Sequence, residues 1–420
     1  MEFGFGFDDF VAELEEFEVR KTNKFERMWK YTFGGSITGS VMDGGVIYFG
    51  CADHYIYALD AGTGKELWRF KTNGIMTSYG LAAGGRFYIG SYDGYMYALN
   101  ARTGEELWKF KTGDKIASAP CVFDGKIYFG SGDTFLYALS ADKGREIWRF
   151  KTGEGIISVP SVYRNRLFFT GLDSCLYCLD VKTGKEFWRF RTGAEAHNDI
   201  PLLVLNGVVY FGSFDSNLYA VDADTGKEIW RFRTGQYGTS STPAFNGGKF
   251  YYGCRDGIMY CLTMEGEKIW SFRTGGIIEG FTLVHGNAVY FTSEDGFMYA
   301  VDKATGKELW RFKCGGPAFD SPKERNGRIY FGSYDCHYYC IDPVSRKEMW
   351  RFQTSTLVQS TTTPMHGEFE IVVKKAVTDE EKAGEEKYSI AAGEVDLKSD
   401  YAFRSEYSFR SEYQTKSEYK

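Results

Sequence analysis

Short apolar runs alternate with turns along most of the chain, and residues 117–151 illustrate the unit. Short runs rich in β-forming residues lie at residues 117–123, 127–130, 135–139 and 146–150, and the last of them alternates apolar with charged side chains. A period of two is typical of β-strands, and the turns between these runs are rich in glycine. Because no run in the unit keeps a helical period, the pattern predicts four short strands.

The four-strand unit recurs about every forty residues, and the tryptophans mark it. All nine tryptophans are spaced 39 to 42 residues apart: Trp29, Trp68, Trp108, Trp148, Trp188, Trp230, Trp270, Trp310 and Trp350. Four strands in such a repeat make up one blade of a β-propeller. In the last run of each unit, Trp68 and Phe70 alternate with Arg69 and Lys71. We therefore expect the eight tryptophans from Trp68 to Trp350 to pack between blades.

The consensus of the repeat is YALDxxTGKELWRFKTG, and its first twelve positions occur at residues 57–68 and, nearly unchanged, at residues 299–310. This motif resembles the repeat of the pyrroloquinoline-quinone (PQQ) quinoprotein β-propellers, and the resemblance covers roughly residues 27–355. It implies an all-β, PQQ-like β-propeller of four-stranded blades, usually eight in that family. A fold does not fix an activity, so the resemblance leaves the function open.

The number of blades is not decided by the repeat. Eight complete units favour eight blades. Alternatively, residues 29–33 could supply the outer strand for further runs at 357–364, 369–373 and 388–391, which would complete a ninth blade from the two chain ends. Repeat 8 also departs from the others, because Ser345-Arg346 replaces the Thr-Gly of the turn. We expect this turn to differ, since glycine suits a left-handed turn position.

Charge and cysteine content restrict the function classes. The net charge is −6, but residues 27–366 between the acidic ends carry +3, a weak basis for nucleic-acid binding. No run of eighteen apolar residues predicts a membrane span. The acidic N-terminus does not resemble a secretory signal, so a cytoplasmic protein is expected if Met1 is the native start.

Nine cysteines, an odd number, favour reduced thiols. Cys175 and Cys178 would point to opposite faces of a strand and do not predict a metal site.

The strongest departures from the repeat fall where the innermost strands should line a central channel. Repeat 5 is two residues longer there than repeats 3 and 4, and repeats 7 and 8 place an acidic residue near the equivalent position. The candidate ligand residues at this channel mouth are Glu195, His197, Asn198, Asp199, Glu279 and Asp320. Carboxylates converging with one histidine could bind a cation or a small polar ligand, whereas a solvated loop is the simpler interpretation. We find no nucleophile–base motif, so no residue is predicted to be catalytic.

The chain ends differ from the repeats. Residues 1–26 form an acidic arm in which the apolar spacing at 10–17 predicts a short helix. Residues 356–398 contain degenerate closing strands. Residues 399–420 repeat Ser-acid-Tyr every six residues. Because six is an even number, a strand keeps each position on one face. One face then holds the candidate interaction residues Tyr401, Phe403, Tyr407, Phe409, Tyr413 and Tyr419.

These observations predict a non-enzymatic propeller scaffold that binds a protein partner or copies of itself. Enzymes of the family carry a vicinal disulfide and calcium ligands, but this sequence has no adjacent cysteine pair and no CxxCH haem motif. It therefore resembles the non-catalytic members, which bind proteins, and no cofactor is expected. The tail is a candidate arm for strand addition to another molecule, and the alternatives are a disordered tail or a tail docked on its own propeller. The alternative function is a small-ligand or PQQ-binding protein, with or without redox activity, that uses the channel.

Overall fold

The computed structural model describes residues 16–21, 29–31, 37, 39–196, 201–235, 238, 241–354, 369–374 and 386–390. The chain divides into two compact units: Gly35–Ser355, and the terminal segments Met1–Gly34 with Thr356–Lys420. The regular structure of the described residues is entirely β-strand, which confirms the predicted fold class. These residues include no helix long and apolar enough to cross a membrane.

The strands are numbered in chain order, and each blade pairs four consecutive strands. Ahead of the blades lie β1 (Glu16–Lys21) and β2 (Trp29–Tyr31). Blade 1 comprises β3 (Ser40–Asp43), β4 (Val46–Gly50), β5 (Tyr55–Asp60) and β6 (Glu66–Lys71). Blade 2 comprises β7 (Leu81–Ala83), β8 (Arg86–Gly90), β9 (Tyr95–Asn100) and β10 (Glu106–Lys111). Blade 3 comprises β11 (Cys121–Phe123), β12 (Lys126–Gly130), β13 (Phe135–Ser140) and β14 (Glu146–Lys151). Blade 4 comprises β15 (Ser161–Tyr163), β16 (Arg166–Gly171), β17 (Cys175–Asp180) and β18 (Glu186–Arg191).

The second half repeats this plan. Blade 5 comprises β19 (Leu203–Leu205), β20 (Val208–Ser213), β21 (Asn217–Asp222) and β22 (Glu228–Arg233). Blade 6 comprises β23 (Ala244–Asn246), β24 (Lys249–Gly253), β25 (Ile258–Thr263) and β26 (Lys268–Arg273). Blade 7 comprises β27 (Leu283–His285), β28 (Ala288–Ser293), β29 (Phe297–Asp302) and β30 (Glu308–Lys313). Blade 8 comprises β31 (Lys323–Arg325), β32 (Arg328–Gly332), β33 (His337–Asp342) and β34 (Lys347–Gln353). The chain continues with β35 (Phe369–Lys374) and β36 (Glu386–Ile390).

Burial within a blade follows strand position. The two central strands are buried on both faces, so neighbouring residues such as Tyr48 and Phe49 are only 4% and 0% exposed. The fourth strand keeps the alternation seen in the sequence, because Trp68 and Phe70 point inward while Arg69 and Lys71 are exposed. The hydrophobic clusters join central strands of adjacent blades, so the core lies between blades rather than within one.

Adjacent blades are joined by a tryptophan that packs on a turn glycine. The ring of Trp68 lies against Gly104 of blade 2, where a Cβ atom would approach the ring to 2.7 Å. The Nε1 atom of Trp68 donates a hydrogen bond of 3.0 Å to the carbonyl of Ala101. Gly104 has φ +77°, so glycine meets both the conformational and the space requirement. This contact explains why a tryptophan and a Thr-Gly turn recur together in the repeat.

A partly buried aspartate makes a second repeated link between blades. Asp133 accepts hydrogen bonds at Oδ2 from the Tyr137 hydroxyl (2.7 Å) and from the Gly113 amide of blade 2 (2.7 Å). Its Oδ1 atom accepts a bond of 3.1 Å from the Phe135 amide. All eight blades hold the Asp–Tyr pair: Asp53–Tyr57, Asp93–Tyr97, Asp133–Tyr137, Asp173–Tyr177, Asp215–Tyr219, Asp256–Tyr260, Asp295–Tyr299 and Asp335–Tyr339. Seven of the eight carboxylates also accept a bond from the amide two residues further on in their own turn, Asp173 being the exception. From blade 2 to blade 8, each carboxylate also accepts a bond from an amide of the preceding blade.

Eight blades close the ring within the unit Gly35–Ser355. Trp350 of blade 8 packs on Gly64 of blade 1, where a Cβ atom would lie 2.6 Å from the indole ring. Phe49 of blade 1 stacks on Tyr338 of blade 8, with ring centroids 5.3 Å apart. The last and first blades thus share the tryptophan–glycine contact of internal neighbours, and the Phe49–Tyr338 stack adds to it. The structure decides the open question in favour of eight blades.

The two chain ends form a ninth four-stranded sheet in the other unit, in the order β2-β1-β35-β36. The sequence predicted that these ends combine, and Trp29 begins a strand at the edge of that sheet. The predicted helix at 10–17 requires a correction at its end, because Glu16 and Phe17 begin β1 and pair with β35. Residues 10–15 and the predicted strand at 357–364 lie outside the described residues.

The turn of repeat 8 does not differ from the others as predicted. The Arg346 amide donates to the Asp342 carbonyl at 2.7 Å, just as the Gly64 amide donates to the Asp60 carbonyl at 2.8 Å. Arg346 adopts the left-handed conformation itself, with φ +60°. Hydrogen bonding and the following strand pair therefore override the steric preference of a residue that carries a Cβ atom.

Replacing Arg346 with glycine is expected to raise the free energy of unfolding by about 0.5–1 kcal/mol, because the left-handed strain exceeds the entropic cost of glycine. The measurement is the urea midpoint by circular dichroism. Ser345→Gly is the matched control in the same turn, where φ is not positive and the Ser345 hydroxyl donates to Asp342 at 2.8 Å. It should lower the midpoint. An equal loss in both variants would contradict the strain at Arg346.

Candidate functional site

The first strands of the blades lie innermost, since those of adjacent blades such as β3 and β7 contact each other. At one end they surround a cavity of about 600 Å³. Its lining comes from blades 1, 2, 5, 6, 7 and 8 and includes Tyr79, Leu203, Phe245, Phe281 and Lys323. This cavity is the described part of the channel mouth where the sequence predicted a site. Its walls are mainly apolar and aromatic.

A tyrosine that the sequence reasoning missed spans part of this mouth. The Tyr79 hydroxyl of blade 2 lies 2.7 Å from the Ser321 hydroxyl of blade 8. Ser321 Oγ also accepts a hydrogen bond of 2.6 Å from the Phe281 amide of blade 7. The Tyr79 ring covers Gly39 of blade 1, where a Cβ atom would approach it to 2.7 Å. Tyr79 stands where repeats 3 and 4 carry Ala119 and Val159, so its departure from the repeat was the available signal.

Asp320, a predicted ligand residue, is buried and fully engaged. It is 0% exposed and lies 2.8 Å from the Lys323 amine. Its carboxylate also accepts hydrogen bonds from the Gly332 amide at 2.9 Å and from the amide and hydroxyl of Ser40 at 3.1 and 2.6 Å. Burial lowers the pKa of the Lys323 amine, and Asp320 opposes that shift. The structure therefore places Asp320 at the seam between blades 8 and 1.

Of the other predicted ligand residues, the structure describes Glu279 and Glu195, and neither pairs with Asp320. Glu279 forms an ion pair of 3.2 Å with Arg255, whose guanidinium lies over the Phe214 ring. Glu195 is half-buried, and burial together with Glu154 raises the pKa of its carboxyl group. Neither residue lines the cavity. The three remaining candidates, His197, Asn198 and Asp199, lie outside the described residues.

The described lining of the mouth does not fit PQQ with calcium. A tricarboxylate quinone requires several cationic or amide donors, and calcium requires carboxylate oxygens. Within the described chain, the one charged residue lining the cavity is Lys323, which Asp320 already neutralises. The described residues also contain no group of three or more His, Cys, Asp or Glu that could hold a metal ion. All nine cysteines are free thiols, and eight of them are buried.

The rim of the propeller offers a second, repeated surface. The fourth strand of each blade is the last of its sheet, so one side of its backbone has no strand partner within that sheet. Each of these strands exposes one large apolar side chain by 38–52%: Leu67, Leu107, Ile147, Phe187, Ile229, Ile269, Leu309 and Met349. We call these eight fourth strands the rim strands. Seven of them also carry an acid–base ion pair three residues apart, such as Glu66–Arg69 at 3.5 Å.

Comparison with known proteins identifies the repeat. The family described as "Outer membrane protein assembly factor BamB" matches residues 52–158, 136–276 and 255–385. Comparison with curated proteins gives no match.

Solved structures show the same fold. BamB from Moraxella catarrhalis superposes with a TM-score of 0.62 at 19% identity, covering 70% of this chain and 91% of that one. The computationally designed Ika8 protein gives a TM-score of 0.64 at 17% identity, with 75% and 97% covered. Quinohemoprotein alcohol dehydrogenase from Comamonas testosteroni gives 0.62 at 16% identity, with 74% and 71% covered. One architecture therefore includes an assembly factor, a design and an enzyme, so these similarities show the fold and not the activity.

Proposed function

Since this chain belongs to the BamB-like family of PQQ-type β-propellers, we propose that it is a non-enzymatic scaffold that binds protein chains, copies of itself included. The name of the matching family describes an assembly factor, which supports a role in holding proteins together. The mouth supports the same role, because its described lining is apolar and its charged residue Lys323 is already paired. Catalysis would need reactive groups that this lining does not supply.

The observation that carries the proposal is the open rim. Eight rim strands each offer unpaired backbone groups beside an exposed apolar side chain, such as Leu67 at 52% exposure. An extended peptide can add to such an edge, where backbone hydrogen bonds provide affinity and side chains provide specificity. A single exposed leucine would be unremarkable, but the same combination occurs on every blade. The rim therefore suits repeated binding of extended segments.

The C-terminal tail is the segment of this chain best suited to such binding. Residues 399–420 lie outside the described residues, and the argument for them is their sequence. Their six-residue period keeps aromatic side chains on one face of a strand and charged side chains on the other. We therefore propose that the tail adds as a strand to another molecule, with self-association as the simplest form.

Deleting residues 399–420 is expected to reduce the assembled protein to a monomer, with a mass somewhat below the 47.7 kDa of the full chain. Light scattering across a concentration series measures the change. The matched control deletes only residues 414–420, which removes the degenerate end of the tail and leaves its two most regular repeats. This control should retain the assembled mass. An unchanged mass after the full deletion would exclude tail-driven self-association.

The cavity of about 600 Å³ favours one alternative, binding of a small ligand in the channel. Thermal unfolding with PQQ and Ca²⁺ distinguishes this role. A stabilised protein with a new absorbance band would support the alternative over the scaffold. No shift and no chromophore in the purified protein would remove it.

A further inference from the structure

We propose that the rim strands of blades 1, 2, 3, 4, 5 and 7 accept the tail of a second copy of this chain, which adds antiparallel as a fifth strand. The donor segments are two tail hexads, Asp400–Ser405 (DYAFRS) and Glu406–Ser411 (EYSFRS). This inference deepens the proposed self-association and rests on it. It names the acceptor, the direction of the added strand and its register.

Strand β6 shows what an incoming strand meets. On its outward face, Leu67 is 52% exposed and Arg69 and Lys71 are exposed. Arg69 is held in place, because Nε lies 3.5 Å from Glu66 and the guanidinium lies 5.3 Å from the Tyr55 ring centroid. The opposite face carries the indole and phenyl rings that pack toward the next blade. The edge is therefore two-faced, with fixed charges on one side and aromatic rings on the other.

The tail hexads have the same two faces in the same order. With Glu406 opposite Lys71 in an antiparallel pair, the opposed residues are Glu406–Lys71, Tyr407–Phe70, Ser408–Arg69, Phe409–Trp68 and Arg410–Leu67. Acid meets base at one end, and Arg410 reaches the Leu67–Glu66 corner at the other. Two aromatic pairs form on the shared face, and a small serine faces the ion-paired arginine. Cross-strand aromatic and opposite-charge pairs are the contacts that stabilise an added strand.

Neither the parallel arrangement nor pairing between two rims offers this match. A parallel hexad would place its acid beside Glu66, where like charges repel. Two rim strands paired antiparallel with Lys71 opposite Leu67 would bring Arg69 opposite Arg69. The charges on the rim strands therefore disfavour pairing between two rims, as charged edge strands usually do. They are compatible with a strand whose charged face carries an acidic, a small and a basic residue in that order.

Six of the eight rim strands share the acid–apolar–Trp–base–Phe–base sequence that the hexads complement: β6, β10, β14, β18, β22 and β30. The other two differ in ways that serve as internal controls. In β26, Lys268 replaces the acid and Ser271 replaces the first base, so the arginine of the hexad would meet a positive charge. In β34, Gln353 replaces the last base, so the acid of the hexad loses its partner.

The count of donors and acceptors favours a second copy as the source of the tail. Each chain carries two complete hexads and six matching rim strands. A chain's own tail could fill at most two of these edges, so at least four remain available to other copies. Two hexads on one tail also allow bivalent binding, which strengthens an interaction that a single six-residue strand makes weakly.

Hydrogen–deuterium exchange on the tail-deleted propeller, with a synthetic peptide of residues 399–411, locates the acceptor. The propeller closes its ring through Trp350 and Gly64 without the tail, so the deletion leaves the acceptor folded. At free peptide ten times above the dissociation constant, exchange in the six matching rim strands should slow about tenfold. Strand β26 should be unaffected. A control peptide exchanges Asp400 with Arg404 and Glu406 with Arg410, which keeps composition and aromatic face but reverses the charges, and it should not protect.

Each outcome separates this inference from the proposed function. Loss of assembly on tail deletion without rim protection by the peptide leaves self-association standing and overturns the rim as acceptor. Equal protection of β26 overturns the register. Rim protection by the peptide, combined with an unchanged mass on tail deletion, places the tail on its own propeller and overturns the second copy. No effect in either experiment removes both proposals.

Discussion

Replacing Asp320 with alanine is expected to lower the free energy of unfolding by about 3–5 kcal/mol. The carboxylate is 0% exposed and lies 2.8 Å from the Lys323 amine, whose side chain is 19% exposed. Its loss would leave this buried amine without its counter-ion. The amides of Ser40 and Gly332 would also lose their acceptor, although they come from opposite sides of the seam. These amides account for part of the expected loss, since an unsatisfied buried group costs about 1–3 kcal/mol.

Two comparisons isolate the buried pair in urea unfolding followed by circular dichroism. Glu279→Ala removes another acid that the sequence placed at the same site, but its ion pair with Arg255 is partly exposed. This control should cost about 1 kcal/mol or less. The double variant Asp320→Ser, Lys323→Ser installs the residues that blade 4 carries as Ser158 and Ser161. It should unfold at higher urea than Asp320→Ala, because no buried charge remains. A loss below about 1 kcal/mol for Asp320→Ala would contradict the buried pair.

The repeat made the blades predictable because each blade is specified locally. Trp68, the Thr-Gly turn with Gly104 and the alternation through Arg69 are all readable within forty residues. Their contacts in space also join sequence neighbours, since Trp68 reaches the next repeat. Eight copies of the same signal made the fold class certain even where one copy departs from the consensus. Arg346 illustrates the limit, because the surrounding hydrogen bonds kept the turn in spite of the missing glycine.

The candidate site was less predictable because its contacts join distant parts of the chain. Asp320 and Ser40 are separated by 280 residues, and Tyr79 and Ser321 by 242. A departure from the repeat shows that a position has a different role from its equivalents. It does not distinguish a ligand-binding residue from a residue that joins the first and last blades. Asp320 was interpreted as a ligand residue, and its partners show that it links blades. The forty-residue period predicts the contacts between sequence neighbours, but it does not predict the contacts between the last repeat and the first.

The seam also explains why the terminal segments are available for other roles. Blade 8 meets blade 1 through ring stacking, the tryptophan–glycine contact and the Asp320 network. The eight-bladed ring therefore needs no strand from either chain end for closure. The ninth sheet formed by β2, β1, β35 and β36 is instead assigned to the separate terminal unit. A chain that closes its ring internally does not need its terminal segments to complete the propeller.

Replacing Gly64 with alanine at this seam is expected to lower the free energy of unfolding by about 2–4 kcal/mol. Gly64 has φ +72°, so alanine would carry left-handed strain of about 1 kcal/mol. Its Cβ atom would also lie 2.6 Å from the Trp350 ring. That ring is backed by Tyr338, with centroids 6.4 Å apart, so it has little room to retreat. The clash should add the usual overpacking cost of about 1–3 kcal/mol.

A double-mutant cycle with Trp350→Ala separates the two costs, because removing the indole leaves space for the new methyl group. In that background, Gly64→Ala should cost about 1 kcal/mol, the strain alone. Gly44→Ala is the matched control, since Gly44 has φ +55° with no atom within 4 Å of its Cβ position. It should cost the same in both backgrounds. If Gly64→Ala behaved like Gly44→Ala throughout, Trp350 could not be resting on blade 1. That result would contradict closure of the ring by eight blades. It would also contradict the conclusion that closure needs no strand from the chain ends.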